Sequence, residues 1–240
     1  MNIQFFNRNK PLIKLNCTTI ISFIAILIIS CGPKKDAIFK NGFGNKENWV
    51  VEQRPGGIVN FKKNKIEILD KDGCTVWLKK QLSGNLKIEY NVTVIDAGGP
   101  FDRVSDNNCF WMAKDPENPD NFFKNSSKRA GKFSNYNTLK LYYVGYGGHD
   151  NTKTRFRRYD GDFERPLFPE HDLSDKKFLI TANKKMHVEI IVNNNLTSYS
   201  RDGEVIFKID DPKPYNEGYF GFRTVNNHML IENFIVKPLN

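Results

Sequence analysis

Three stretches of the chain carry side chains able to hold an acidic group and move a proton. Leu139–Tyr146 holds Lys140, Tyr142 and Tyr146, Lys153–Tyr159 holds Arg155 and Arg157, and Tyr219–Thr224 holds Arg223. A guanidinium fork matches a carboxylate with two parallel hydrogen bonds. Imidazole exchanges protons near neutral pH, and a phenol beside an arginine can have a lowered pKa. If these stretches are strands, alternation puts Lys140, Tyr142, Val144 and Tyr146 on one face, opposite Leu139, Leu141 and Tyr143. The first face has the polar tips and is expected to meet a ligand. Lys153, Arg155, Arg157 and Tyr159 likewise share a face, and Arg223 lies opposite the core-directed Phe220 and Phe222. His149 follows Gly147-Gly148 on a turn between two of the stretches.

Each candidate also has a plainer reading. His149 fits a solvated turn, and Tyr142 and Tyr146 fit half-buried sheet positions. Arg155, Arg157 and Arg223 fit surface charges paired with acids. Trp111 serves equally as a core anchor or a sugar platform, and Arg103 and His228 read as loop residues.

Strands must position these groups. Alternation dominates from residue 47, with short strands expected at Gly57–Phe61, Lys65–Leu69 and Cys74–Leu78, and a long one at Leu86–Ile95. The C-terminal third repeats the pattern at His187–Val192, Leu196–Ser200, Val205–Ile209, Tyr219–Thr224 and Met229–Val236. Gly, Asn and Asp turns join them, and no ten-residue helix pattern occurs. An all-β, two-sheet jelly roll (β-sandwich) is the fold expected of residues 41–240, as a single domain. Residues 96–137 break the rhythm but carry Phe101, Phe110, Trp111, Phe122, Phe123, Phe133 and Tyr136. That is too aromatic for disorder, so an ordered loop folding over one sheet is expected.

The first 30 residues differ from the rest. Arg8, Lys10 and Lys14 precede an apolar run from Ile20 to Ile29, ending at Ser30-Cys31-Gly32. This reads as a secretory signal peptide, too short to span a bilayer. Cys31 after Ile-Ile-Ser reads as a lipidation site, with residues 31–40 as the tether of a lipid-anchored envelope protein at a periplasmic or surface face. Removing residues 1–30 lowers the formal charge of +9 by three, to +6, a modest excess suited to an anionic ligand. No basic block long enough for a nucleic-acid arm appears, so nucleic acid is not an expected partner. Cys74 and Cys109 remain as a disulfide or as two buried thiols, and spacing does not choose.

Four longer segments carry a resemblance: Gly98–Met112, Leu139–Gly148, Asn151–Gly161 and Gly218–Val225. In order, they resemble a family of secreted concanavalin-like jelly-roll domains, formerly of unknown function and associated with bacterial polysaccharide utilisation. The resemblance covers roughly residues 40–238 and implies carbohydrate chemistry of the ulvan type. Its enzymes are lyases or dehydratases that eliminate water, or a sugar, at a uronic acid residue. Such elimination needs a cation on the carboxylate, a base for the C5 proton and an acid for the departing oxygen. On that footing His149, Tyr146 and Arg155 are the catalytic candidates. Arg103, Trp111, Lys140, Tyr142, Arg157, Arg223 and His228 are the substrate-binding candidates.

Folds of this type also hold calcium, and Asp102, Asp106, Asp160 and Asp162 are the available acids, but no calcium-loop spacing joins them. Neither a cofactor nor a metal is therefore expected. The expected partners are an anionic oligosaccharide or polysaccharide, and a membrane through the lipid alone, with the protein a monomer. A non-catalytic carbohydrate-binding lipoprotein would use the same face. A glycoside hydrolase needs paired acids, for which Glu89 and Glu189 are the attractive pair.

Overall fold

Alternating apolar and polar residues, broken by Gly, Asn and Asp turns, give the antiparallel strands that such a pattern requires. The computed structural model describes residues 36–40 and 42–239. The signal segment 1–30, the lipidation site Cys31 and the start of the tether lie outside the described residues. The strands are β1 (Phe39–Lys40), β2 (Trp49–Gln53), β3 (Ile58–Lys62), β4 (Lys65–Asp70), β5 (Cys74–Leu78) and β6 (Leu82–Ser83). Then follow β7 (Leu86–Val94), β8 (Asn107–Lys114), β9 (Lys140–Gly147), β10 (Lys153–Asp160) and β11 (Asp172–Leu173). The last are β12 (Met186–Asn193), β13 (Leu196–Arg201), β14 (Glu204–Asp210), β15 (Glu217–Thr224) and β16 (Asn227–Pro238).

One sheet runs β14-β13-β12-β7-β16-β4-β3, with β1 added against β16. The other runs β11-β10-β9-β8-β15-β5-β2, with β6 against β15. The fold is the expected all-β two-sheet jelly roll. Ile68, Ile88, Val92, Val188, Ile190 and Ile231 of the first sheet share a buried core with Val76, Cys109, Trp111, Val144, Phe220 and Phe222 of the second. Each such side chain contributes roughly 1.5–3 kcal/mol on burial. Cys74 and Cys109 are buried and free. The tether was expected to run to residue 40, but the chain joins the sheet earlier, where Phe39 pairs with Val236 and packs on Trp49.

The second sheet is buried on its outer face as well. Trp77, Phe110, Leu141, Tyr143 and Tyr159 form a second cluster there with Phe122, Tyr136 and Leu139 from the segment after β8. The aromatic middle therefore folds over one sheet as expected, although its residues 107–114 are a central strand rather than loop. A buried network fixes the covering segment. Arg129 Nη2 lies 2.8 Å from Glu52 Oε1, and Tyr136 Oη donates to Glu52 Oε2 at 2.7 Å. In β8 a bulge after Trp111 places Met112 at φ 53°. Gly218 faces it, where a Cβ would stand 2.3 Å from the Met112 carbonyl carbon.

Candidate functional site

Strand register lines up the polar residues. Thr75, Arg223, Asn108, Gly145, Arg155 and Asp172 are successive cross-strand partners across β5, β15, β8, β9, β10 and β11. Trp77, Gly221, Phe110, Tyr143 and Arg157 form a second such row. Both rows lie on the outer face of the second sheet. The covering segment buries the β5–β15–β8 side and leaves a cavity of about 400 Å³ over β9 and β10. Tyr143, His149, Lys153, Arg155, Arg157 and Arg165 line it, with Asp106 and Phe133 completing the wall. Gly145 makes the room, because a Cβ there would stand 2.4 Å from the Tyr143 phenol oxygen.

His149 sits on a left-handed turn, with φ of 52°, 57° and 59° at His149, Asp150 and Asn151. Such backbone costs about 1–3 kcal/mol per residue and persists only when its surroundings hold it. Here they do. The Asn151 side chain donates to the Ile180 carbonyl at 2.9 Å and accepts from the Ile180 N–H at 2.8 Å. Arg103 Nε donates to Asp150 at 2.8 Å, while its Nη1 donates to Asp106 at 3.0 Å. Arg155 Nη1 bonds the His149 Nε2, and its other edge donates to Asp172 at 2.9 and 3.2 Å.

The cavity is electropositive. Among the described residues no carboxylate lies within ion-pair distance of Arg157 or Arg165, and Arg157 Nη1 donates to the Arg165 carbonyl. Burial lowers the Arg157 pKa, and the nearby Arg165 and Arg155 charges add to that against an opposing effect of Tyr159. An anion between these guanidinium groups would relieve both costs. Burial also holds the Tyr143 phenol well above its ordinary pKa, so it carries its proton and meets the cavity as a hydrogen-bond donor. The Asp172 carboxyl is held down by the Arg155 hydrogen bond.

Arg155, Arg157 and His149 come together as expected, but the tyrosine face does not. Tyr142 and Tyr146 belong to the core between the sheets, on the opposite side of β9 from the cavity. Tyr142 Oη donates to Asp211 at 2.6 Å, and Tyr146 accepts from Arg201, so both polar tips are satisfied inside. Burial raises the Tyr146 pKa, with Arg201 opposing, which removes any role as a ready base. The covering segment supplies the reason. It gives Leu141 and Tyr143 an apolar roof, so the face that looked like core carries the cavity.

Trp111 is a core anchor. It is fully buried, and its Nε1 donates to Thr197 Oγ1 at 3.0 Å. Arg223 shares the cavity's sheet face but lies wholly beneath the covering segment, donating to the Gly131 carbonyl at 2.6 Å. Lys140 is exposed beside Asp160 and Tyr215, away from the cavity. His228 is a strand residue in the other sheet, set between Asp102 at 2.8 Å and Glu67 at 3.3 Å. Arg103 supports the His149 turn and the Asp106 wall rather than lining the cavity.

Sequence reading missed Tyr143, Asp106, Phe133 and Arg165 as wall residues. The small Gly145 on the Tyr143 face was the available signal. Asp102, Asp106, Asp160 and Asp162 each accept bonds from protein donors, and no metal-ligand cluster occurs among the described residues. Glu89 and Glu189 stand opposite each other on β7 and β12, both bound by Lys87 Nζ, so no gap for a substrate separates them.

A family model described as "Domain of unknown function (DUF6250)" matches residues 68–234. No curated protein sequence matches the chain. Among solved structures, a protein of unknown function with a galectin-like fold from Bacillus subtilis is similar at TM-score 0.62 and 16% identity, covering 85% of this chain and 96% of that one. The carbohydrate-binding module CBM66 from Bacillus subtilis is similar at TM-score 0.53 and 13% identity, covering 79% and 95%. The metal-free carbohydrate recognition domain of Emp46p gives TM-score 0.57 at 12% identity, covering 85% and 94%. At these identities the likeness is one of fold.

Proposed function

The chain belongs to the DUF6250 family, and on that premise we propose that it binds an acidic oligosaccharide in the Arg155–Arg157 cavity. The observation that carries this reading is the convergence of Lys153, Arg155, Arg157 and Arg165 on one cavity with Tyr143 and His149. Its volume of about 400 Å³ lies in the range of small-ligand sites. The Arg157 and Arg165 guanidinium groups, without a carboxylate partner among the described residues, select a carboxylate or sulfate, and the tyrosine and histidine rings suit hydroxyl groups and the apolar face of a sugar. Structures of similar fold include a carbohydrate-binding module and a carbohydrate recognition domain, which agrees with a saccharide ligand. Titration with a glucuronate-terminated oligosaccharide tests the reading. Binding that weakens with salt and is lost in Arg155→Ala supports it, and binding indifferent to both refutes it.

A second reading adds turnover, favoured by the pairing of a protonated phenol with an imidazole in the same cavity. Arg155 and Arg157 would neutralise the uronate carboxylate and so acidify the C5 proton. His149 Nε2 would take that proton, the C5–H electron pair would form the C4–C5 double bond, and the C4–O bond would break. Tyr143 would protonate the departing oxygen, which leaves as water or as a sugar hydroxyl. A ligand carboxylate on Arg155 competes for Nη1, which frees the His149 Nε2 that this N–H now occupies. The test is the ultraviolet absorbance of an unsaturated uronate. Its appearance with the wild type and its absence with His149→Ala separate an enzyme from a holder. For location, the Ser30-Cys31-Gly32 sequence supports a lipid anchor in the cell envelope, and Cys31→Ser should then move the chain from the membrane to the soluble fraction.

A further inference from the structure

The β10–β11 ladder covers Thr154 and Arg155, so among the described residues β10 has no ladder partner on that edge from Phe156 onward. The returning segment 165–171 runs beside the open edge and closes a second cavity of about 420 Å³. Its walls include Phe156, Pro166, Phe168, His171 and Ile209. The His171 ring stands edge-on to Phe156 at 5.0 Å, Phe168 at 5.7 Å and Phe207 at 5.9 Å. Burial lowers the His171 pKa, with Glu170 opposing, so the ring enters this wall as a neutral amphipathic plate. Phe168 is 56% exposed, an aromatic face left open to solvent.

Arg158 and Asp211 at this cavity are already paired with each other. Arg158 Nε donates to Asp211 at 2.7 Å, and its Nη2 donates to the Lys213 carbonyl at 2.8 Å. The Arg158 guanidinium is thus occupied, Arg157 shares its strand face with Arg155 of the first cavity, and an apolar surface would find rings and prolines here. The first cavity lies on the Arg155 face of β10 and the second on the Phe156 face at its open edge, and the two share a border. Arg157 borders both, and Arg165 on the first is followed directly by Pro166 on the second.

We propose that this second cavity is an adjoining subsite that takes the apolar face of a neutral sugar residue linked to the acidic residue held by Arg155 and Arg157. The ligand class is then an oligosaccharide in which an acidic residue neighbours an uncharged one. This rests on the anionic-saccharide reading of the first cavity and adds the identity of its neighbour. Phe168 acts as the stacking platform, and His171 supplies a neutral edge to one hydroxyl.

Calorimetric titration of the full chain with methyl glucuronide and phenyl glucuronide tests it, the phenyl group standing in for the apolar face. Phenyl glucuronide should bind about tenfold more tightly, equal to about 1.4 kcal/mol. Phe168→Ala should erase that preference and leave methyl glucuronide unchanged, while Arg155→Ala should weaken both. Equal binding of the two by the wild type overturns the proposal, as does a preference that survives both Phe168→Ala and His171→Ala. Failure of both glycosides to bind instead removes the acidic-saccharide reading, and the subsite with it.

Discussion

Nε2 of His149 is bonded by Nη1 of Arg155, the same guanidinium that grips Asp172 with its other edge. The imidazole lone pair and the guanidinium fork therefore answer to one another, and an arriving carboxylate must divide them. Arg155→Lys keeps the charge but loses the fork. It should weaken uronate binding by about 1.5–3 kcal/mol, the worth of a charge-assisted hydrogen bond. His149→Ala should leave affinity within about threefold while abolishing any unsaturated product. Calorimetry beside an absorbance assay reads both, and an unchanged affinity in Arg155→Lys removes Arg155 from the site.

Gly145 is the reason the Tyr143 phenol reaches the cavity. An added methyl would stand 2.4 Å from its oxygen and 2.9 Å from its Cζ, so the ring must move. The ring is wedged between Phe110 at 5.4 Å and Phe133 at 5.6 Å, which makes that movement costly. Gly145→Ala should lower stability by about 1–3 kcal/mol, the usual cost of overpacking. It should weaken saccharide binding at least as much as Tyr143→Phe does. Urea denaturation and titration check this, and unaltered binding in both variants would place the phenol outside the ligand's reach.

Tyr142 makes the opposite case. Its hydroxyl donates to Asp211 at 2.6 Å and accepts from the Tyr215 N–H at 3.1 Å, inside the sandwich. Tyr142→Phe should therefore cost about 1–3 kcal/mol of stability by leaving buried partners unmatched. Saccharide binding should stay as it was. Denaturant midpoints and titration together decide, and a selective loss of binding would return Tyr142 to the site.

These tyrosines mark where sequence reading stops. Period-two alternation locates most of the strands, though not central β8 or the two-residue β1, β6 and β11, because one buried face per sheet is enough to impose it, and it groups Arg155 with Arg157 correctly. It does not say which face is inward. In β9 both faces are buried, one by the opposite sheet and one by the covering segment, so Leu141 and Tyr142 are equally enclosed. Polar tips then mislead, since Tyr142 and Tyr146 find their partners in Asp211 and Arg201. Trp111 fails for the same reason, its N–H being satisfied by Thr197. The loop residues Asp106, Phe133 and Arg165 reach the cavity through tertiary folding, and no local spacing announces them.

The covering segment itself depends on Arg129 and Glu52. Their side chains are 3% and 1% exposed, with Nη2 and Oε1 2.8 Å apart and Tyr136 bonded to the same carboxylate. Removing one member of such a pair strands the other charge, at about 3–5 kcal/mol. Arg129→Met should destabilise the chain by that order and expose residues 115–139 to protease first. Arg129→Met with Glu52→Gln should recover part of the loss, because the Glu52 charge is gone while buried Asp115, 3.6 Å from Arg129, keeps only the neutral donors Glu117 N–H, Asn118 and Asn125. Limited proteolysis with urea denaturation measures both, and a double variant as weak as the single one would refute the argument.

Asp211 is one of the carboxyls that tie the fold's stability to acid pH. Burial pushes its pKa up, but bonds from Tyr142, Arg158 and the Lys213 N–H outweigh that and leave it below the ordinary value. A carboxyl with a depressed folded pKa contributes stability above its unfolded pKa, near 3.9, and loses it as pH falls through the folded value. Denaturant midpoints should thus hold through neutral pH and drop below about pH 4. Tyr142→Phe removes one of the bonds that depress the pKa, so the folded value moves toward the unfolded one and its acid decline should be smaller and end at higher pH. Asp211→Asn should start less stable at pH 7 and decline less steeply, having no proton to take up there. If the three proteins show parallel acid limbs, the Tyr142–Asp211–Arg158 cluster does not set the acid response.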